Sequence, residues 1–293
     1  MDILLNCYPC IVTMVLTIAD LSRFSDDQTK QLMNEALSLL LDVGKTGPVP
    51  PPVVAGRLFQ KAGEISGDMD RYDPYSALKK KANKTVTDFY HTLVQAVAQS
   101  QSPVEKAIKL AALGNILDFA IIDHNTIDIL QEVKDIDKLV FEKYDYESFS
   151  SRLSTAGHLL ILGDNAGEIV FDKLLIQTLN TRFPDLKITY AVRGATIIND
   201  VTMEDAREVG LTKAADVISS GSVCPGTYLD DADPDFLDIF EQADLIISKG
   251  QGNYETLSKE DRANLFFIFR VKCKHVGARV GAGLHSLILL ENR

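Results

Sequence analysis

The chain has 293 residues, 46% of them hydrophobic, which is enough for a large core and too many for a disordered protein. Its 41 acidic side chains outnumber the 30 basic ones, and the resulting net charge of −11 argues against a nucleic-acid partner, which needs a basic face. No apolar run is long enough to span a bilayer, the N-terminus carries no basic leader, and four cysteines are too few for a disulfide-stapled fold, so the expected compartment is the reducing cytoplasm, away from membranes.

In chain order, Cys7-Tyr8-Pro9-Cys10 precedes an apolar run, Ile11 to Ala19, that reads as a helix. Both thiols then lie near a helix N-terminus, where thiolate is favoured. The pair supplies two of the roughly four ligands a structural zinc needs. Metal binding by the pair and simple anchoring of the first helix both remain open. The expectation is that this helix anchors the helical part without lining the active-site cleft.

Gln28 to Val43 places Leu32, Ala36, Leu39 and Leu40 on one stripe and predicts a second helix, with Ser25 or Asp26 as its cap. Gly47 to Pro52, G-P-V-P-P-P, reads as a loop. Further helices are expected at Val53–Ser66, Ser76–Ser100 and Val104–Asp118, with Asp73-Pro74-Tyr75 leading into the second of these.

After residue 150 the rhythm changes to short apolar strand, polar loop, helix. Strands are expected at His158–Leu162, Ile188–Val192, Val217–Ser219, Leu245–Ser248 and Leu265–Val271, with a sixth at Ser286–Leu290. Continuous apolar strands alternating with helices imply a mainly parallel sheet covered on both faces. The fold class is therefore α/β: a helical region over 1–150 and a Rossmann-like region over 151–293.

Ligands of such sheets bind beyond the carboxyl ends of the strands. Three strand ends are polar here. The first is Gly163-Asp164-Asn165-Ala166-Gly167-Glu168, opening a helix. The second is Arg193-Gly194, followed by Asn199-Asp200; the third is Lys249-Gly250-Gln251-Gly252-Asn253. Carboxylate and amide oxygens suit magnesium or manganese, and Arg193 and Lys249 supply charge for an anion. A metal beside counter-charge for a phosphate is the equipment of phosphoryl transfer. Taken singly, each motif is better explained by helix capping or a tight turn; three polar strand ends in one parallel sheet shift the balance, because their side chains should converge.

These motifs, in this order, resemble the metal-dependent damage-control phosphatases, formerly a domain of unknown function. The resemblance is carried by C-Y-P-C at Cys7 to Cys10, D-P-Y at Asp73 to Tyr75, and G-N-I-L-D at Gly114 to Asp118. It continues in G-D-N-A-G-E at Gly163 to Glu168, R-G-A-T-I-I-N-D-V-T at Arg193 to Thr202, S-G-S-V-C-P-G-T at Ser220 to Thr227, and S-K-G-Q-G-N-Y-E at Ser248 to Glu255. The Cys-x-x-Cys pair resembles that of a mostly prokaryotic subgroup.

The resemblance implies a divalent ion (magnesium, manganese, cobalt or nickel) held by Asp164, Asn165 and Asp200. It also implies that Lys249 contacts substrate phosphate, that Glu168 lies near the substrate, and that Asn115 and Asp118 face the same cleft. Arg193 and Asn253 complete the expected substrate-binding set, with Asp164, Asp200 and Lys249 as the catalytic residues. The implied reaction is hydrolysis of phosphomonoesters of small metabolites, sugar phosphates or damaged phosphometabolites among them. Two rivals are a carboxyl methyltransferase using S-adenosylmethionine and a non-catalytic sensor of metal or phosphometabolite. The methyltransferase cue is poor, because the second strand ends in basic Arg193 instead of an acid.

Overall fold

A computed structural model describes residues 1–46, 49–116 and 129–293. Three helices come first: α1 (Tyr8–Leu21), α2 (Asp26–Thr46) and α3 (Pro51–Ser66). They share a core of Val15, Ile18, Leu32, Ala36 and Leu58, joined by Tyr75 and by Ile197 from the sheet region. Pro51 and Pro52 were expected in a loop, yet they form the first turn of α3 behind Pro50. An opening turn needs no backbone N–H, so proline is tolerated there.

Next come α4 (Ser76–Asp88), α5 (Tyr90–Ala98), α6 (Pro103–Ile116) and α7 (Ile129–Lys134). The single helix expected over Ser76–Ser100 is two, separated at Phe89. The sheet strands are β1 (Phe141–Tyr144), β2 (His158–Leu162), β3 (Lys187–Val192), β4 (Asp216–Ser219), β5 (Leu245–Lys249), β6 (Leu265–Arg270) and β7 (Leu287–Glu291). Between them lie α8 (Tyr146–Leu153), α9 (Glu168–Arg182), α10 (Met203–Glu208), α11 (Pro234–Gln242), α12 (Gln251–Leu257) and α13 (Lys274–Val280).

The strand order is β1-β7-β6-β5-β2-β3-β4, and every pair is parallel except β6 with β7. The sixth expected strand thus exists but runs antiparallel. β1, an edge strand of alternating burial, lies on the helical side of residue 150, so the sheet draws on both expected regions. Strands β2, β3, β5 and β6 are almost wholly buried and largely apolar, as a sheet covered on both faces demands, whereas β4, at the edge, is only half-buried. On one face α4, α5, α6 and α9 close a core around Phe171, Leu175, Leu159 and Ile161; on the other, α11 and α13 cover Leu160, Phe267 and Phe269. From β2 the chain moves through β3 and β4 toward one edge, while β5 lies on its other side. The strand order reverses between β2 and β5, where a crevice forms at their carboxyl ends.

Candidate active site

The first polar stretch leaves β2 at that reversal. Asp164 and Asn165 follow the strand directly, and Glu168 is the first residue of α9. The second stretch folds back to meet it. Ile198 takes a left-handed conformation (φ +44°), and the Asp200 N–H donates to the Ile197 carbonyl at 3.0 Å. That turn lets Asn165 pair with Asp200 as an isolated bridge, and Val201 N–H donates to the Asp164 carbonyl at 2.9 Å. A left-handed β-branched residue is uncommon, and such conformations concentrate at functional sites. The side chains of Asp164, Asn165 and Asp200 share the floor of a cleft of about 610 Å³.

These donors are crowded and dry. Burial raises the Asp164 carboxyl well above its ordinary value, and the neighbouring Glu168 and Asp200 raise it further. Burial lifts Asp200 to about 6 despite the opposing charge of Arg193. Carboxylates pushed this way favour either protons or a cation between them. The Asn165 Nδ2 donates to Asp164 at 3.0 Å and to Glu168 at 2.9 Å, so its Oδ1 is the atom left to offer a cation. Among the described residues no three His, Cys, Asp or Glu side chains form a metal cluster. The set that fits a hard divalent ion is therefore two carboxylates and one amide oxygen.

Two buried cations hold this floor from behind. Arg193 Nε donates to Asp200 at 2.7 Å and Nη1 to Thr227 at 3.1 Å, while Nη2 is buried without a hydrogen-bond partner. Lys249 is fully buried, with Nζ 2.7 Å from Asp172 and 3.5 Å from Glu168. Burial pulls the Lys249 ammonium down, but Asp172 and Glu168 outweigh it and the net shift is upward, so it stays charged. Lys249 is not on the cleft wall, where the sequence places it against phosphate. Asn253 is likewise spent on the backbone: Nδ2 donates to the carbonyls of Lys249 and Gly163, and Oδ1 accepts from Thr227 N–H. It fastens the β5 loop to the β2 loop.

Among the described residues, the cation that does line the cleft is Lys272, exposed just after β6. Its charge pulls the Asp164 carboxyl downward, against the larger effect of burial. No motif marked it; the only cue was a basic residue after an apolar strand. Asp172 and Lys79 were also missed. Lys79, in α4, pairs with buried Asp205 at 2.7 Å, and Asn83 accepts from Gly167 N–H while donating to Asp205. Helix α4 thereby fixes the turn that carries Asp164 and Asn165.

Helix α1 corrects a further expectation. Cys10, Thr13 and Met14 line the cleft, so α1 forms one of its walls. Burial raises the Cys7 thiol above its usual value, opposite to the depression expected of a helix N-terminus. Tyr75 lies on the wall as well. Asp118 lies outside the described residues, as does the side chain of Asn115. Gly114, beside it, packs against Glu168 and Phe171.

The damage-control phosphatase ARMT1-like domain matches residues 3–288. The damage-control phosphatase PH1575 of Pyrococcus horikoshii is 28% identical, with 100% of this chain and 99% of that protein covered. A damage-control phosphatase of Archaeoglobus fulgidus is 29% identical with 96% of each covered, and the uncharacterized protein MJ0202 of Methanocaldococcus jannaschii is 31% identical over 98% of this chain and 94% of its own. The crystal structure of PH1575, described as a DUF89 family protein, superposes over the whole of both chains with a TM-score of 0.90 at 27% identity. A shared fold over full length, together with a family match that takes in every strand-end motif, means that this chain belongs to the damage-control phosphatase ARMT1-like family.

Proposed function

We propose that the protein is a metal-dependent phosphatase that hydrolyses phosphomonoesters of small metabolites in the cytoplasm. The observation that carries this reading is the meeting of Asp164, Asn165 and Asp200 in one cleft at the reversal of strand order. A divalent ion held by those oxygens would supply positive charge beside the ester phosphate. The chain's own residues do the rest. Arg193 fixes Asp200 from behind the floor and, with Thr227, holds its carboxylate toward the cleft. Lys249 holds Glu168 and Asp172 in place, acting on the site through them. Lys272 on the wall neutralises phosphate charge that the floor does not reach.

A carboxyl methyltransferase has less support, since the β2 loop is filled by ligand-type oxygens and the β3 end by a buried arginine. The test is phosphate release from a panel of phosphomonoesters by chelator-treated protein, with and without added magnesium, manganese, cobalt or nickel. Release that depends on the ion supports the reading. No release with any ion, alongside methyl transfer from S-adenosylmethionine, overturns it. Among the described residues no helix is long and apolar enough to cross a membrane.

A further inference from the structure

Resting on the phosphatase reading, we infer that Tyr75 is a specificity-determining residue: its hydroxyl, together with the Asn199 carboxamide, hydrogen-bonds hydroxyl groups on the alcohol part of the substrate. Tyr75 ends the D-P-Y stretch directly ahead of α4, and it lines the cleft although only 4% of its surface is exposed. Its backbone is engaged, with N–H donating to Asp73 Oδ1 at 3.1 Å and the carbonyl accepting Lys79 N–H at 2.9 Å. Its ring packs 6.3 Å from that of Phe59, within the core shared by α1, α2 and α3. Among the described residues its hydroxyl has no hydrogen-bond partner, and burial pushes that hydroxyl up to about 12, so it stays neutral. Polar groups this deeply buried are normally paired, and the cleft is the side from which a partner can come. A ring held this firmly presents its hydroxyl at one fixed place, ready for a ligand.

The other hydroxyl and amide donors of the cleft are already spent. Thr13 Oγ1 donates to the Pro9 carbonyl at 2.9 Å and Thr17 Oγ1 to the Thr13 carbonyl at 3.3 Å. Asn165 Nδ2 gives its two protons to Asp164 and Glu168, and Gln251 Nε2 gives its two to Glu255 and the Cys273 sulfur. Asn199 differs: its backbone carbonyl accepts Ala166 N–H at 2.9 Å, while its carboxamide has no partner among the described residues. Phosphate oxygens only accept, and their charge is met by the floor and by Lys272. A phenol and a carboxamide each donate and accept without charge, as an alcohol hydroxyl does, so they suit the neutral end of the ester. At about 610 Å³ the cleft is roomy enough to hold that end as well as the phosphoryl group. A site that pairs a substrate hydroxyl disfavours the analogue lacking it, because its own buried groups are then left unpaired.

Tyr75→Phe tests this, since it removes one oxygen and keeps the ring that packs on Phe59. On metal-loaded full-length protein, kcat/KM is measured for sorbitol 6-phosphate and hexyl phosphate, esters of equal chain length that differ in their hydroxyls. The sorbitol-to-hexyl ratio should fall about three- to tenfold in Tyr75→Phe. A purely structural role would lower both substrates alike and leave the ratio where it was. Asn199→Ala should lower the same ratio. Titration calorimetry with 2,3,4-trihydroxybutylphosphonate and butylphosphonate, which cannot be hydrolysed, should show the same selective loss of affinity. A ratio that Tyr75→Phe leaves unchanged, in turnover or in phosphonate binding, overturns the inference. A selective loss of phosphonate affinity with no turnover of either ester upholds the Tyr75 contact and sinks the phosphatase reading instead.

Discussion

The α-carbon of Gly250 stands so close to the Asp164 carboxylate that a β-carbon there would collide with both of its oxygens. Gly250 also has φ +82° and ψ 157°, a combination that other residues scarcely adopt. The β5 loop therefore passes over the first strand end only because this residue has no side chain. Gly250→Ala should displace Asp164 and lower phosphatase turnover at least about 100-fold, at a stability cost of about 1–3 kcal/mol from backbone strain alone. Turnover together with a thermal melt checks it; wild-type turnover in a folded Gly250→Ala protein would refute the close approach.

The two lysines near the floor should separate cleanly. Lys249→Met leaves Asp172 and Glu168 buried without their cation, and breaking such a pair costs about 3–5 kcal/mol. That variant should melt far below wild type. Lys272→Met, at an exposed position, should melt near wild type and raise KM for phosphomonoesters and Ki for inorganic phosphate. Equal melting temperatures for Lys249→Met and wild type would contradict the burial of that ion pair.

Asp164→Asn removes a charge that burial and two neighbouring carboxylates oppose. In metal-free protein it should therefore leave stability unchanged or raise it, while abolishing both turnover and the stabilisation by added divalent ion. Melting curves with and without manganese show both effects. An Asp164→Asn protein stabilised by manganese as strongly as wild type would remove Asp164 from the ligand set.

How much of this was legible beforehand depends on the kind of interaction. His158–Leu162 and Leu245–Ser248 were readable because buried parallel strands are unbroken apolar runs, and the gathering of Asp164, Asn165 and Asp200 in one cleft follows from polar strand ends together with the family resemblance. β1 was not: F-E-K-Y has two charged residues among four, as a short edge strand tolerates. The pairing of Lys249 with Asp172 joins residues 77 apart in sequence through packing alone, and no local pattern announces it. The wall made by α1 is likewise a tertiary fact, since the apolar stripe of a helix does not say whether its other side faces water or a cleft. Pro51-Pro52 misled for a different reason: proline breaks helices everywhere except at their start.

Stability should depend on pH in a direction set by the same crowding. Asp200 is raised to about 6 and Asp164 is raised as well, so the folded, metal-free protein binds protons that the unfolded chain releases. Where the folded state holds more protons, stability falls as pH rises. Between about pH 4 and pH 6, across the ordinary and the raised carboxyl values, metal-free protein should lose stability with increasing pH. A bound divalent ion needs the deprotonated forms, so its stabilising effect should be small at pH 5 and large at pH 7.5. Melting temperatures with chelator and with magnesium, taken across this range, give both slopes. An ion-induced shift that does not change with pH would contradict the assignment of the floor carboxylates.

The cysteine pair is the remaining test, and the wall formed by α1 alters what it should show. Cys10 lies on the cleft and Cys7 is half-buried at the head of the same helix, so both substitutions touch the frame of the site. Neither sulfur belongs to the hard oxygen set, and phosphoryl chemistry at such a set needs no thiolate. Cys7→Ser with Cys10→Ser should therefore retain kcat to within about threefold, while KM shifts because one wall of the cleft has changed. Steady-state kinetics under reducing conditions, on protein shown to be folded by circular dichroism, distinguishes the two parameters. A collapse of kcat at unchanged KM would place a thiol in the chemical step and displace Asp164, Asn165 and Asp200 as its sole centre.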